Sequence, residues 1–134
     1  MKPAFLLLPL TAVLGVVALS APATAKSRIP EATPIGAAQN CVQLQDIRES
    51  RVLSDQVIDF HLRNGKVLRN TLPHSCPQLG FEQSFSYSTS LSKLCNVDII
   101  TVLVKGGGPS RGASCGLGMF QPVQLAKKAA SKAY

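Results

Sequence analysis

Residues 56–72, QVIDFHLRNGKVLRNTL, constrain this chain more than any other stretch. In Val57-Ile58-Asp59-Phe60-His61-Leu62 the apolar Ile58, Phe60 and Leu62 share one face, while Asp59, His61 and Arg63 share the other. A period of two marks a half-buried strand. Asn64-Gly65 follows between two apolar runs, and both residue types tolerate the positive φ of a tight hairpin turn. Loop length follows from the pattern. A two-residue loop sets Phe60 against Arg69 and puts a charge on the core face. A three-residue loop, Arg63-Asn64-Gly65 with Gly65 left-handed, sets Phe60 against Leu68 and Gln56 against Leu72. One residue of slip turns every side chain over, so the three-residue loop is expected. Two misfits remain, Asn70 opposite Ile58 and Lys66 opposite Leu62.

The hairpin sits among four cysteines, Cys41, Cys76, Cys95 and Cys115. Residues 1–25 read as an export signal: Lys2 is a positive start, an apolar run follows from Ala4 to Ala18, and Ala23-Thr24-Ala25 is a small-x-small cleavage site. The run is short for a bilayer, and Pro22 breaks it before that site. No cysteine follows to invite lipid attachment. An even number of cysteines in a short exported chain implies two disulfides and an oxidising compartment, the periplasm or the cell exterior. About 80 residues are too few to be secure on core burial alone. Two staples could add about 3–4 kcal/mol each in the chain-entropy model, comparable to a small domain's whole margin.

The net charge of +7 (14 basic residues against 7 acidic) needs dividing. Lys2 leaves with the signal, giving 13 − 7 = +6 for the remainder. Residues 41–121 carry eight basic and six acidic groups, only +2. The excess lies at the ends, Lys26 and Arg28 on one side and Lys127, Lys128 and Lys132 on the other. These tails imply weak, salt-screened attraction to anionic surfaces. Nucleic acid is not indicated, because arginines and aromatics do not cluster.

Residues 26–40 (KSRIPEATPIGAAQN) have prolines, alanines and no period, and read as a disordered leader. Strands are expected at 47–53, in the hairpin, at 84–90 (SFSYSTS), at 97–104 (VDIITVLV, read as buried by its β-branched content) and at 113–120 (ASCGLGMF). In the last, Gly116 and Gly118 allow a close backbone approach or a bulge. Lys105–Ser110 (KGGGPS) reads as a flexible loop, and residues 122–134 as a basic Ala/Lys-rich tail. The domain, residues 41–121, is therefore an all-β antiparallel barrel or sandwich of about six short strands. An up-and-down meander places Cys41 with Cys95 at one end and Cys76 with Cys115 at the other. A crossover would instead favour Cys76–Cys95 with Cys41–Cys115.

Chemistry-bearing residues are few. His61, His74 and the cysteines lack the paired spacings of a structural zinc site, and exported thiols are ordinarily oxidised rather than catalytic. Asp46, Asp55 and Asp98 fall at strand ends and turns, where carboxylates cap backbone N–H groups. Ser110 and Ser114 lie in no nucleophile elbow. KGGGPSRG lacks the GK[ST] ending and following helix of a phosphate loop. The face Asp59/His61/Arg63 with Lys66 is mixed in sign and reads as solvated. No catalytic, cofactor or metal residue is assigned.

The segments CVQLQDIRESRVLSDQVIDF, LPHSCPQLGFEQSFSY, LCNVDIITVL and ASCGLGMF carry a resemblance. Over residues 41–120 the chain resembles a family of small exported proteobacterial proteins with cysteines in the contexts C-x5-IR, LPxxCPxL, LCxxD and C-x-L-G-x-F. The resemblance implies that the four cysteines, Ile47-Arg48 and the loop from Leu72 to Leu79 form one framework. It implies no activity and no site residue.

Two functional classes follow. One is a non-catalytic exported domain that binds an envelope or periplasmic macromolecule, an inhibitor of a secreted enzyme being one form. The other is a small exported hydrolase using carboxylates or His61 and His74.

Overall fold

The hairpin forms as the pattern demands. β4 (Val57–Leu62) and β5 (Val67–Thr71) pair antiparallel with Phe60 opposite Leu68 and Ile58 opposite Asn70. Leu62 N–H donates to the Lys66 carbonyl at 2.8 Å, and Gly65 closes the three-residue loop at φ +86°. The Asn64 side chain accepts from Lys66 N–H at 3.0 Å, a local bond that suits asparagine to this turn. Gln56 meets Leu72 through both backbone and side chain.

The computed structural model describes residues 29–106 and 110–126. The expected export signal and Lys127, Lys128 and Lys132 lie outside them. Around the hairpin stands a five-stranded antiparallel sheet in the order β1-β10-β5-β4-β3, with β1 at Ala32–Pro34, β3 at Ile47–Val52 and β10 at Phe120–Leu125. A second sheet, β6-β8-β9, comprises Phe85–Tyr87, Ile99–Val104 and Ser110–Gly116. A two-stranded ribbon joins β2 (Cys41–Gln43) to β7 (Lys93–Cys95). One core runs between them: Ile58, Phe60 and Leu68 from the large sheet, Ile100 and Val102 from the small one, Val42 and Leu94 from the ribbon. The Phe60 ring stands edge-on to Phe120 at 5.4 Å and to Phe85 at 6.4 Å, spanning both layers. The fold is all-β, sandwich-like and not a closed barrel.

Ten strands are present among the described residues, against about six expected. Three additions, β1, β2 and β7, are three-residue pieces too short to show a period. The fourth arises where 113–120 divides: β9 ends at Gly116, and β10 begins at Phe120. The meander fails as well. β10 returns to lie between β1 and β5.

The limits expected at 40/41 and 121/122 cut through a sheet. Residues 32–34 pair with β10, Gln39 bridges Phe120, and β10 continues to Leu125. This part of the leader is strand rather than disordered, and part of the tail is strand too. Pro34 and Pro122 disguised both. Pro34 is tolerated at the sheet's edge. The Pro122 carbonyl accepts from Ile35 N–H at 3.0 Å, beyond the last β1 pair, so its missing donor falls where that ladder has ended.

The misfit Asn70 is resolved by Gly118. Fully buried beside Ile58 and Phe120, its side chain accepts from Gly118 N–H at 2.8 Å and donates to the Gly118 carbonyl at 2.7 Å. A Cβ on Gly118 would overlap the Thr71 carbonyl oxygen. Glycine is therefore required for contact, not conformation. At Gly116 the space is open.

Disulfides join Cys41 to Cys95, directly opposite on β2 and β7 with Cα atoms 4.0 Å apart, and Cys76 to Cys115 at 5.9 Å. The second ties the loop leaving the large sheet to β9 of the small one. Both fit an oxidising compartment. No helix among the described residues is long and apolar enough to cross a membrane.

Candidate functional site

The expected strand at 97–104, read as buried, forms as β8 over Ile99–Val104. It is not buried throughout. Ile100 and Val102 point into the core, while Ile99 is 58% exposed and Thr101 and Leu103 are half-covered. The outer face of β6-β8-β9 is thus open and partly apolar. Directly opposite pairs put Ser86, Thr101 and Ser114 in one row across it, with the Thr101 and Ser114 hydroxyls 3.0 Å apart.

The turn leading into β8 adds to this face. Asp98 accepts from Cys95 N–H at 2.7 Å through its carboxylate, and its own N–H donates to the Cys95 carbonyl at 3.0 Å. Asn96 N–H donates to the Asn40 carbonyl at 2.8 Å, and the disulfide holds Cys95 to β2. Between these fixed points Val97 projects with 81% of its surface exposed. Val97, Ile99 and the edge residue Tyr87 border an open hollow of about 520 Å³, with Asp98 and Arg111 also on its lining. Leaving Val97 and Ile99 in water forgoes about 1.5–3 kcal/mol of burial for each. A rigid mount and exposed apolar side chains are what a contact surface requires.

A second apolar group is mounted as firmly elsewhere. Phe81, 84% exposed, lies on the single-turn helix α1 (Leu79–Glu82), whose flanking Gln78 and Gln83 are left-handed at φ 67° and 52°. Leu79 anchors it in the core, and the Asp55 carboxylate accepts from Gly80 N–H at 2.7 Å. Asp55 and Asp98 therefore serve turns, as residues at their positions ordinarily do. Asp46 is the last residue of a 3-10 turn, and its backbone carbonyl accepts from Arg63 N–H at 2.8 Å.

The face of Asp59, His61, Arg63 and Lys66, read as solvated, needs correction. Arg63 and Lys66 are exposed, His61 is half-buried, and Asp59 is 1% exposed. Arg69, directly opposite, clamps the Asp59 carboxylate with two bonds of 2.8 and 2.9 Å. The expected register already sets Arg69 opposite Asp59, but not how deeply the pair is buried. Burial and the Arg51 charge push the His61 imidazole below its ordinary pKa, against Glu49 and Asp59. Desolvation raises the Glu49 carboxyl, but the Arg51 hydrogen bond, with Arg51 and Arg48 as neighbouring charges, brings it below its ordinary value.

His74 and Ser114 line a hollow of about 300 Å³ beside Cys115, yet the hydrogen bond of the Ser114 hydroxyl goes to Thr101 rather than to His74. His61 lies on β4, in the other sheet. No group of three or more His, Cys, Asp or Glu gathers as a metal site among the described residues. No family model, curated protein or solved structure matches the chain.

Proposed function

We propose that this protein is a non-catalytic exported domain of the periplasm or cell envelope that holds a macromolecular partner on the outer face of β6-β8-β9. One observation carries the reading: Val97, on a turn fixed by the Cys41–Cys95 disulfide, and Ile99, at the start of β8, stand exposed at one hollow of the outer face. Rigidly mounted apolar groups lose little freedom on binding, so more of their burial appears as affinity. Asp98 and Arg111 at the same hollow favour a protein partner whose contact surface is apolar with charges of both signs. A secreted enzyme is one such partner, which would make the domain an inhibitor. Export rests on the signal-like residues 1–25, on two disulfides, and on the resemblance to exported four-cysteine proteins. Lys127, Lys128 and Lys132 add a weak, salt-sensitive attraction to anionic envelope surfaces.

The test is capture from envelope and periplasmic extracts by the oxidised protein, at low and high salt, beside the variant Val97→Ser/Ile99→Ser. A stoichiometric protein retained at high salt by the parent and lost by the variant is expected. Capture only of anionic material released by salt would move the binding to the lysine tail and sink the proposal.

A further inference from the structure

Beyond that face, the molecule has a second hollow with different chemistry. Residues 35–40 link β1 to β2 and stay beside β10 as far as Gln39, and the Gln121 side chain also donates to the Gly36 carbonyl at 2.8 Å. This link is held at two points. Ile35 N–H donates to the Pro122 carbonyl at 3.0 Å, and Gln39 and Phe120 exchange backbone bonds of 2.8 and 2.9 Å. Between them the chain offers only Gly36, Ala37 and Ala38. Gly36 lines an open hollow of about 460 Å³, within the size range of small-molecule sites, and the exposed Ile35 lines it as well.

Its lining has two parts. Val42, Leu62 and Leu68, all more than nine-tenths buried, supply an apolar floor continuous with the core. Gln39 and Gln43 bring side-chain amides that make no hydrogen bond among the described residues. An amide both donates and accepts, and so suits a hydroxyl or amide partner. Asp46 and Lys66 also line the hollow, with opposite signs. An ionic head gains from one and loses to the other, while still giving up its hydration.

The geometry points to a binding site for a small uncharged amphiphile: an aliphatic body on Val42, Leu62 and Leu68, and a hydrogen-bonding head between Gln39 and Gln43. The site is independent of the proposed protein-binding face and stands or falls without it.

The experiment titrates the oxidised, isotopically labelled protein with octyl glucoside below its micelle concentration, following backbone amide resonances. Glucose, octanoate and octylammonium are run alongside. Saturable shifts centred on Gly36, Gln39, Gln43, Leu62 and Leu68 are expected from octyl glucoside. Octanoate and octylammonium should bind less tightly, and glucose not at all. The double variant Gln39→Ala/Gln43→Ala should weaken octyl glucoside about tenfold with its melting temperature unchanged. No saturable binding would overturn the proposal, as would shifts centred on Val97 and Ile99. Either ion binding as tightly as octyl glucoside would overturn it too.

Discussion

The two sheets finish their outer faces in opposite ways. On the five-stranded sheet, Arg51, Asp59, Arg69 and Gln121 lie side by side across four strands, and Asp59 is buried beneath the Arg69 guanidinium. In the next row Val67 and Val123 are buried as well. On the three-stranded sheet, the outward positions hold exposed Ile99, Ser86 and Ser114 and half-covered Thr101, with Val97 beside them. The large sheet spends its outward side chains on internal bonds. The small one joins the Thr101 and Ser114 hydroxyls and leaves Ile99 and Val97 exposed to meet something else. Substitutions should therefore cost stability on the first face and binding on the second.

The Cys76–Cys115 bridge, the covalent tie between the sheets, sets the upper limit. Replacing both cysteines by alanine removes about 4 kcal/mol in the chain-entropy model, and the fully buried Cys76 leaves a void besides. Loss of the cooperative melt at growth temperature is expected. The Cys41–Cys95 loop is longer, 54 residues against 39, which adds only about 0.3 kcal/mol to its entropic term. Its cysteines are half-exposed, however. If Cys41→Ala/Cys95→Ala proves the more damaging, the ribbon rather than the inter-sheet tie holds the fold.

Next in size is Arg69→Ala, which strands the Asp59 carboxylate and should cost at least about 3 kcal/mol. Arg111→Ala, on the exposed face, should stay within about 0.5 kcal/mol. Asp59→Leu/Arg69→Leu should recover most of the loss, since an apolar pair of similar size often replaces a buried ion pair without penalty. Denaturant melts decide it. Equal effects of Arg69→Ala and Arg111→Ala would erase the distinction between the faces.

Gly118→Ala forces a Cβ onto the Thr71 carbonyl and breaks the Asn70 clasp, at about 2–3 kcal/mol. Gly116→Ala, two residues away in open space, should change stability by less than about 0.5 kcal/mol. Val97→Ser with Ile99→Ser should likewise move the melt little while abolishing retention of a protein partner.

How much of this was legible depends on which atoms carry the information. The hairpin was readable because side-chain period and turn chemistry agree within residues 56–72. Asn70 looked like a fault because its partner, Gly118, lies 48 residues away. The placement of β1 and β10 was hidden because their pairing is backbone to backbone and both contain proline. Asp59 departs from the solvated reading because alternation gives a residue's side of the sheet, not how deeply that side is covered. The three-residue loop already sets Arg69 across from it. The open face was legible in part: VDIITVL shows β-branched content, but no local pattern says that Ile99 lacks a cover. The second hollow was not legible, because Gln39, Val42, Leu62 and Leu68 come together only in the fold.

The smallest effect concerns the pH dependence of the closed face. In the folded protein His61 titrates below its ordinary value of 6.5, because burial and the Arg51 charge disfavour the imidazolium. The unfolded chain then binds more protons as pH falls, so this group's stability is complete above about 6.5 and declines below it. Glu49, held below 4.5 despite desolvation by the Arg51 hydrogen bond and the Arg51 and Arg48 charges, acts in the same direction. Its contribution is present above about 4.5 and lost as pH falls through its lowered folded value. Melting temperature should therefore drop in two separate steps on acidification, the first beginning near 6.5. In His61→Gln the first step should vanish and the second remain. A first step that persists in His61→Gln would assign it to other groups and would remove pH sensitivity from the list of differences between the two faces.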